Sequence, residues 1–226
     1  MAEPAKPIFD IAAAQPLIDR AAKDGPLAAL ARMHHEAVET ARLANLLGRS
    51  LQVAIGIPVL AGVAVFLAGG AGVPSTTAWA ILIAVASLSI ARAYASAINR
   101  PFERPVLRAF AQDLNACLLY AGFAWGAGAF LALGTDASPA TLLLFAGVPT
   151  ACIAILLRER LATLLFLAPV AGLTAFAGVL RPFAHGALAA GLVLLACGAV
   201  AGIAVALERH VAARREADLP NGFTAS

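Results

Sequence analysis

The sequence predicts an all-α integral membrane protein of six transmembrane helices, N-in and C-in, with an amphipathic cytoplasmic helix ahead of the first span. Three observations carry this. The 226 residues are 61% hydrophobic and only 13% charged, with a mean hydropathy of +0.85, outside the range of soluble globular domains. The apolar residues fall into six runs, each about as long as the ~20 residues that a helix needs to cross a bilayer. The runs are continuously apolar and rich in Ala and Leu, without the period-two alternation of a barrel strand.

Taken in order, residues 1–50 form a cytoplasmic tail. Its first part, with Pro4, Pro7, Pro16 and Pro26, predicts little regular structure. It has no early apolar core of a cleavable signal, so the first span is expected to serve as the insertion signal. Leu27, Leu30, Val38, Ala41 and Leu47 then recur at roughly helical spacing, with Arg32, Glu36, Glu39, Arg42 and Arg49 among them. That pattern predicts an amphipathic helix suited to a lipid headgroup surface, to a partner helix, or to water as a solvated lead-in. The six runs lie near 51–69, 76–98, 114–133, 140–157, 161–180 and 186–207, so 51–207 is the membrane domain and 208–226 a cytoplasmic stalk and tail.

Orientation follows from the basic residues. Lys6, Arg20, Lys23, Arg32, Arg42 and Arg49 precede the first span; Arg92, Arg100, Arg104 and Arg108 flank the second connection; Arg158 and Arg160 make the fourth; Arg209, Arg214 and Arg215 follow the sixth. Only Arg181 falls on the other side, so fifteen of the sixteen basic residues satisfy the positive-inside rule. The opposite connections, Gly69 to Thr77, Gly134 to Pro139 and Arg181 to His185, are short and leave no room for an outer sensor domain. The turn Arg158-Glu159-Arg160 is tight enough to make spans four and five an antiparallel hairpin. Together these features predict a multi-pass membrane protein with both termini in the cytoplasm.

Few residues suggest chemistry. Ionisable groups inside a bilayer are costly and usually functional. Arg92, Asp113 and Glu208, however, lie at span ends, where long side chains reach the headgroups. His34 and His35 are adjacent in the tail, about 100° apart on a helix and not the i, i+4 pair that a metal prefers. His185 and His210 lie outside the spans. Cys117, Cys152 and Cys197 occupy three different runs with no CxxC, and read as small packing residues. Ser87, Ser89 and Ser96 have no general base near them in sequence, and the chain has no Walker lysine loop, GxSxG elbow or HExxH. The expectation is no enzyme activity, no cofactor and no metal. The pI near 9.1 reflects dispersed topology signals, so nucleic acid is not an expected partner.

Glycine and proline speak to packing. Gly122 and Gly126, and Gly198 and Gly202, form GxxxG pairs in spans three and six. Such pairs let helix backbones approach closely, within one chain or between two. Ala129 extends the first small-residue surface; Gly191 and Ala206 extend the second. Pro58, Pro149 and Pro169 lie within spans and are expected to kink them. Gly56-Ile57-Pro58 and Gly147-Val148-Pro149 occupy comparable places in the two halves, which leaves open a small secondary transporter built as a three-plus-three inverted repeat.

Several features lie in a recognisable arrangement. They are the basic lead-in, the span ending Ser89-Ile90-Ala91-Arg92-Ala93-Tyr94, the connection Asn99-Arg100-Pro101-Phe102-Glu103-Arg104, the Gly- and Trp-bearing third span, and a last span running into Leu207-Glu208-Arg209-His210. From about Ser50 to Arg215 this layout resembles the MASE-type membrane sensor modules that precede diguanylate cyclase and cyclic-di-GMP phosphodiesterase domains in bacterial signalling proteins. No GGDEF, EAL or kinase histidine box follows. The resemblance therefore implies a sensory, anchoring or scaffold subunit, standing alone or cut from a longer chain. Its expected partners are membrane lipid and other membrane or cytoplasmic proteins, or further copies of itself.

Overall fold

A computed structural model of the chain describes residues 26–67, 74–101, 103–133, 138–180 and 186–222. The tail with Pro4, Pro7 and Pro16, and the residues Arg181 and His185, lie outside the described residues. The protein is all-α, with six helices: α1 (Pro26–Leu67), α2 (Pro74–Ile98), α3 (Arg104–Leu131), α4 (Pro139–Leu157), α5 (Arg160–Val179) and α6 (Gly186–Gly222). Each contains a segment long and apolar enough to cross a membrane, making this a multi-pass membrane protein with six candidate spans.

Proline and short caps set several helix starts. Pro26, Pro74, Pro105 and Pro139 stand at the first or second position of their helices, where the missing N–H costs no hydrogen bond. Ser138 is the N-cap of α4, its hydroxyl accepting the Thr141 N–H at 3.2 Å. Between α4 and α5 the chain turns in two residues. Arg158 takes the left-handed conformation (φ 52°, ψ 32°) with its N–H on the Ala154 carbonyl. Glu159 is extended, and its carbonyl accepts both the Thr163 N–H and the Thr163 hydroxyl.

Three helices run past the limits that the apolar runs suggest. Helix α3 starts at Arg104, ten residues before the expected span at 114, because helical hydrogen bonding does not stop where charges begin. Its first turns bury Leu107, Phe110 and Leu114 while Arg108, Gln112 and Asp113 stay exposed, so amphipathic spacing carries the helix beyond the apolar run. Helix α1 likewise starts at Pro26, well ahead of the expected first span at 51, and α6 continues beyond its apolar run to Gly222.

The chain divides into two compact units, Met1–Leu43 and Ala44–Ser226, with the division inside α1. In the first, the described side chains up to Arg42 are exposed or half-buried, and the Thr40 hydroxyl donates to the Glu36 carbonyl. In the second, α1 buries Leu46, Leu47, Val53, Ala54, Ile57 and Ala61 along one face. Helix α3 packs against α2 and α5, α5 reaches α4 and α6, and α4 also packs on α6. The central member is α5, with 61% of its span buried, against 22% for α6. Because lipid is as apolar as leucine, close fit and satisfied polar groups, not solvent exclusion, must hold the helices together.

Candidate functional site

The most specific contacts cluster where α2, α3 and α4 meet. Pro149 lies within α4 and has no N–H to give the carbonyl four residues back, that of Phe145. The buried indole of Trp125 on α3 fills that vacancy, donating to the Phe145 carbonyl at 2.8 Å. A second indole works similarly across another seam: Trp79 of α2, fully buried, donates to the Ala124 carbonyl of α3 at 2.9 Å. Gly128 allows this approach, since a Cβ there would fall 2.6 Å from the Trp79 ring and 2.7 Å from Phe145 Cζ. The three rings form one cluster, Trp79 edge-on to Trp125 with centroids 5.6 Å apart and Phe145 within 5.8 Å of both.

A cavity of about 300 Å³ lies against this cluster, between α1, α3 and α4. Trp125, Phe145 and Pro149 form its buried wall; Val63, Leu144 and Val148, all exposed, stand at its mouth. Thr141 lines it at the Pro139 end. At the opposite end of α4, the Arg49 guanidinium of α1 donates to the Leu156 carbonyl at 2.9 Å, placing a cation on a helix C-terminus.

Gly122 and Gly126 face α5, not α6: a Cβ on Gly122 would meet the Phe166 carbonyl and lie 2.6 Å from Pro169 Cγ, and one on Gly126 would lie 2.9 Å from Leu173. Ala129 is buried on the same helix. Gly198 and Gly202, with Gly191, have nothing within 4 Å of a Cβ, and Ala206 is exposed with them. Pro58, Pro149 and Pro169 all lie inside continuous helices.

Arg92, Asp113, His34, His35 and His210 are exposed, while Glu208 is half-buried. Among the described residues no group of three or more His, Cys, Asp or Glu could hold a metal ion. Cys197 is buried, Cys117 and Cys152 half-buried. Ser89 and Ser96 donate to carbonyls of their own helix. Buried atoms with no hydrogen-bond partner among the described residues are Ser87 Oγ, Asn115 Oδ1 and Thr174 Oγ1, each on a different helix.

Sequence reasoning placed Trp125 only as part of a Gly- and Trp-bearing span and passed over Trp79, Phe145 and Gly128. One signal was available: a proline inside a span names the carbonyl it strands, four residues back, and so asks for a donor on a neighbouring helix.

Fold and site together define an all-α multi-pass membrane protein whose interior is joined by indole-to-carbonyl bonds. No protein-family model, curated protein or solved structure matches the chain.

Proposed function

We propose that this chain is a non-catalytic sensory, anchoring or scaffold subunit of a bacterial inner membrane, with both ends in the cytoplasm, acting through protein partners. The observation that carries the reading is α6. Its 37 residues make one helix about 55 Å long at 1.5 Å per residue, well beyond the ~30 Å hydrocarbon core of a bilayer. A helix continuous from the span to Gly222 carries the end of the bundle out beyond the hydrocarbon core, toward whatever partner meets it. The MASE-type modules that the layout resembles likewise continue from their last span into a stalk. Purification in mild detergent is expected to yield a stoichiometric partner protein, lost when residues 211–226 are deleted. A lone chain would overturn the proposal, as would substrate-dependent flux in proteoliposomes that is lost in Pro58→Ala or Pro149→Ala, the behaviour of a secondary transporter.

The orientation rests on charge. Arg92, Arg100, Arg104, Arg108, Arg158 and Arg160 sit at the ends of α2, α3, α4 and α5 that lead into the second and fourth connections, the side that positive-inside bias assigns to the cytoplasm. With Cys117, Cys152 and Cys197 changed to alanine, single cysteines at Ser138 and Ser226 are expected to react with impermeant maleimide from opposite sides. Labelling from one side would exclude the six-span topology.

A further inference from the structure

We propose that the cavity beside Trp125 binds a single-chain amphiphile of the fatty-acid class, taken up sideways from the bilayer, with its oxygen head at Ser138 and Thr141 and its chain along α4. The shape argues for one chain. The α4 residues that line the cavity run from Thr141 to Pro149, eight residues or about 12 Å at 1.5 Å per residue, so the space is elongated parallel to the helix. At about 300 Å³ it stands at the lower end of small-molecule clefts, roughly 300–1,000 Å³, too small for the two chains of a glycerolipid. Its mouth is flanked by Val63, 50% exposed, Leu144, 63%, and Val148, 44%, in a part of the helices that faces lipid, so an apolar molecule enters without crossing water.

The head group has a defined place. Ser138 Oγ and Thr141 Oγ1 are 2.9 Å apart and share a single hydrogen bond, so one of the two hydroxyl protons remains available whichever is the donor. The Ala140 N–H, in the first turn of α4, has no carbonyl four residues back within the helix, and the positive end of the helix dipole lies at the same place. A carboxylate or hydroxyl oxygen matches these donors. The chain would lie over Phe145 and Pro149, whose polar groups are closed to it: the Phe145 carbonyl is bound by Trp125, and proline has no N–H.

The inference goes beyond the proposed partner-binding role, and its test is separate, because binding is read on the purified full chain alone. Both tryptophans of the chain belong to the cavity-side cluster, so the wild-type protein is its own reporter. In nanodiscs, dibromostearic acid is expected to quench tryptophan fluorescence saturably and to be displaced by stearic acid. Ala64→Phe and Val148→Phe should each weaken the half-saturation about tenfold, and Thr141→Val about fivefold for loss of one hydrogen bond. Should Ala64→Phe fail to fold, Val148→Phe at the exposed mouth decides alone. Quenching that rises linearly, resists displacement or is unchanged by the cavity-filling variants would overturn the site. Saturable quenching of equal strength by dibrominated phosphatidylcholine would overturn the single-chain assignment.

Discussion

Gly122→Leu is expected to unfold the bundle or lower its stability by about 3 kcal/mol, the upper part of the usual range for overpacking, whereas Gly202→Leu leaves the melting of the monomeric bundle unchanged. The asymmetry comes from what each glycine faces. A Cβ on Gly122 runs into the Phe166 carbonyl, which is helix backbone and cannot rotate away, and into the Pro169 ring. To admit leucine, α3 and α5 must separate along the seam that places α5 at the centre of the fold. Gly126→Leu is expected to be somewhat milder, since Leu173 is a side chain that can turn, although the Pro169 carbonyl stands 3.0 Å behind it. Gly202 meets nothing within 4 Å, so leucine there alters at most an association between chains. Ala80, exposed on α2, is the control: Ala80→Leu should be silent. Detergent melting by circular dichroism, with oligomeric state by light scattering, reads both effects. Equal melting of Gly122→Leu and Gly202→Leu would refute the packing account.

The second large effect is expected at Trp125, and it is conditional on Pro149. Trp125→Phe leaves the Phe145 carbonyl buried without a donor, at a cost of about 1–3 kcal/mol, added to the loss of packing from a smaller ring. In Pro149→Ala the alanine N–H becomes available to the same carbonyl, restoring the ordinary i to i−4 bond of α4. Trp125→Phe should therefore cost less in the Pro149→Ala background than in wild type, with a coupling of about 1–2 kcal/mol in a double-mutant cycle. Strict additivity would mean that the 2.8 Å indole contact contributes no hydrogen-bond energy and that Trp125 acts through its area alone. The cycle needs only the melting of wild type and three variants, and Trp79 remains in all of them as a fluorescent reporter.

Span number was legible in the sequence because it depends on the solvent. A run such as 161–180 can satisfy its backbone in lipid only as a helix, whatever its neighbours. Helix ends were less legible. The apolar run of the third span stops at Asp113 while α3 starts at Arg104, because burial of Leu107 and Phe110 against the bundle extends the helix under a charged exterior. The two-residue turn at Arg158 was anticipated by its length, but the left-handed conformation of an arginine there was not.

By itself, then, the sequence determined an all-α membrane protein, six spans, the crowding of basic residues at alternate span ends, and the small residues available for close contact. Hydropathy and charge act on each segment independently of its neighbours, so one dimension of information suffices for them. The tertiary structure decided which small surfaces are used. Gly122 and Gly126 have the same spacing as Gly198 and Gly202, yet the first pair touches α5 and the second faces outward. It also decided that the carbonyl stranded by Pro149 is met by Trp125, and that Trp79 can reach Ala124 because Gly128 carries no side chain. Those outcomes depend on how helices are rotated and which are adjacent. In a bilayer, where apolar surfaces do not distinguish lipid from protein, only the shape and the unsatisfied polar atoms of the partner helix can settle them.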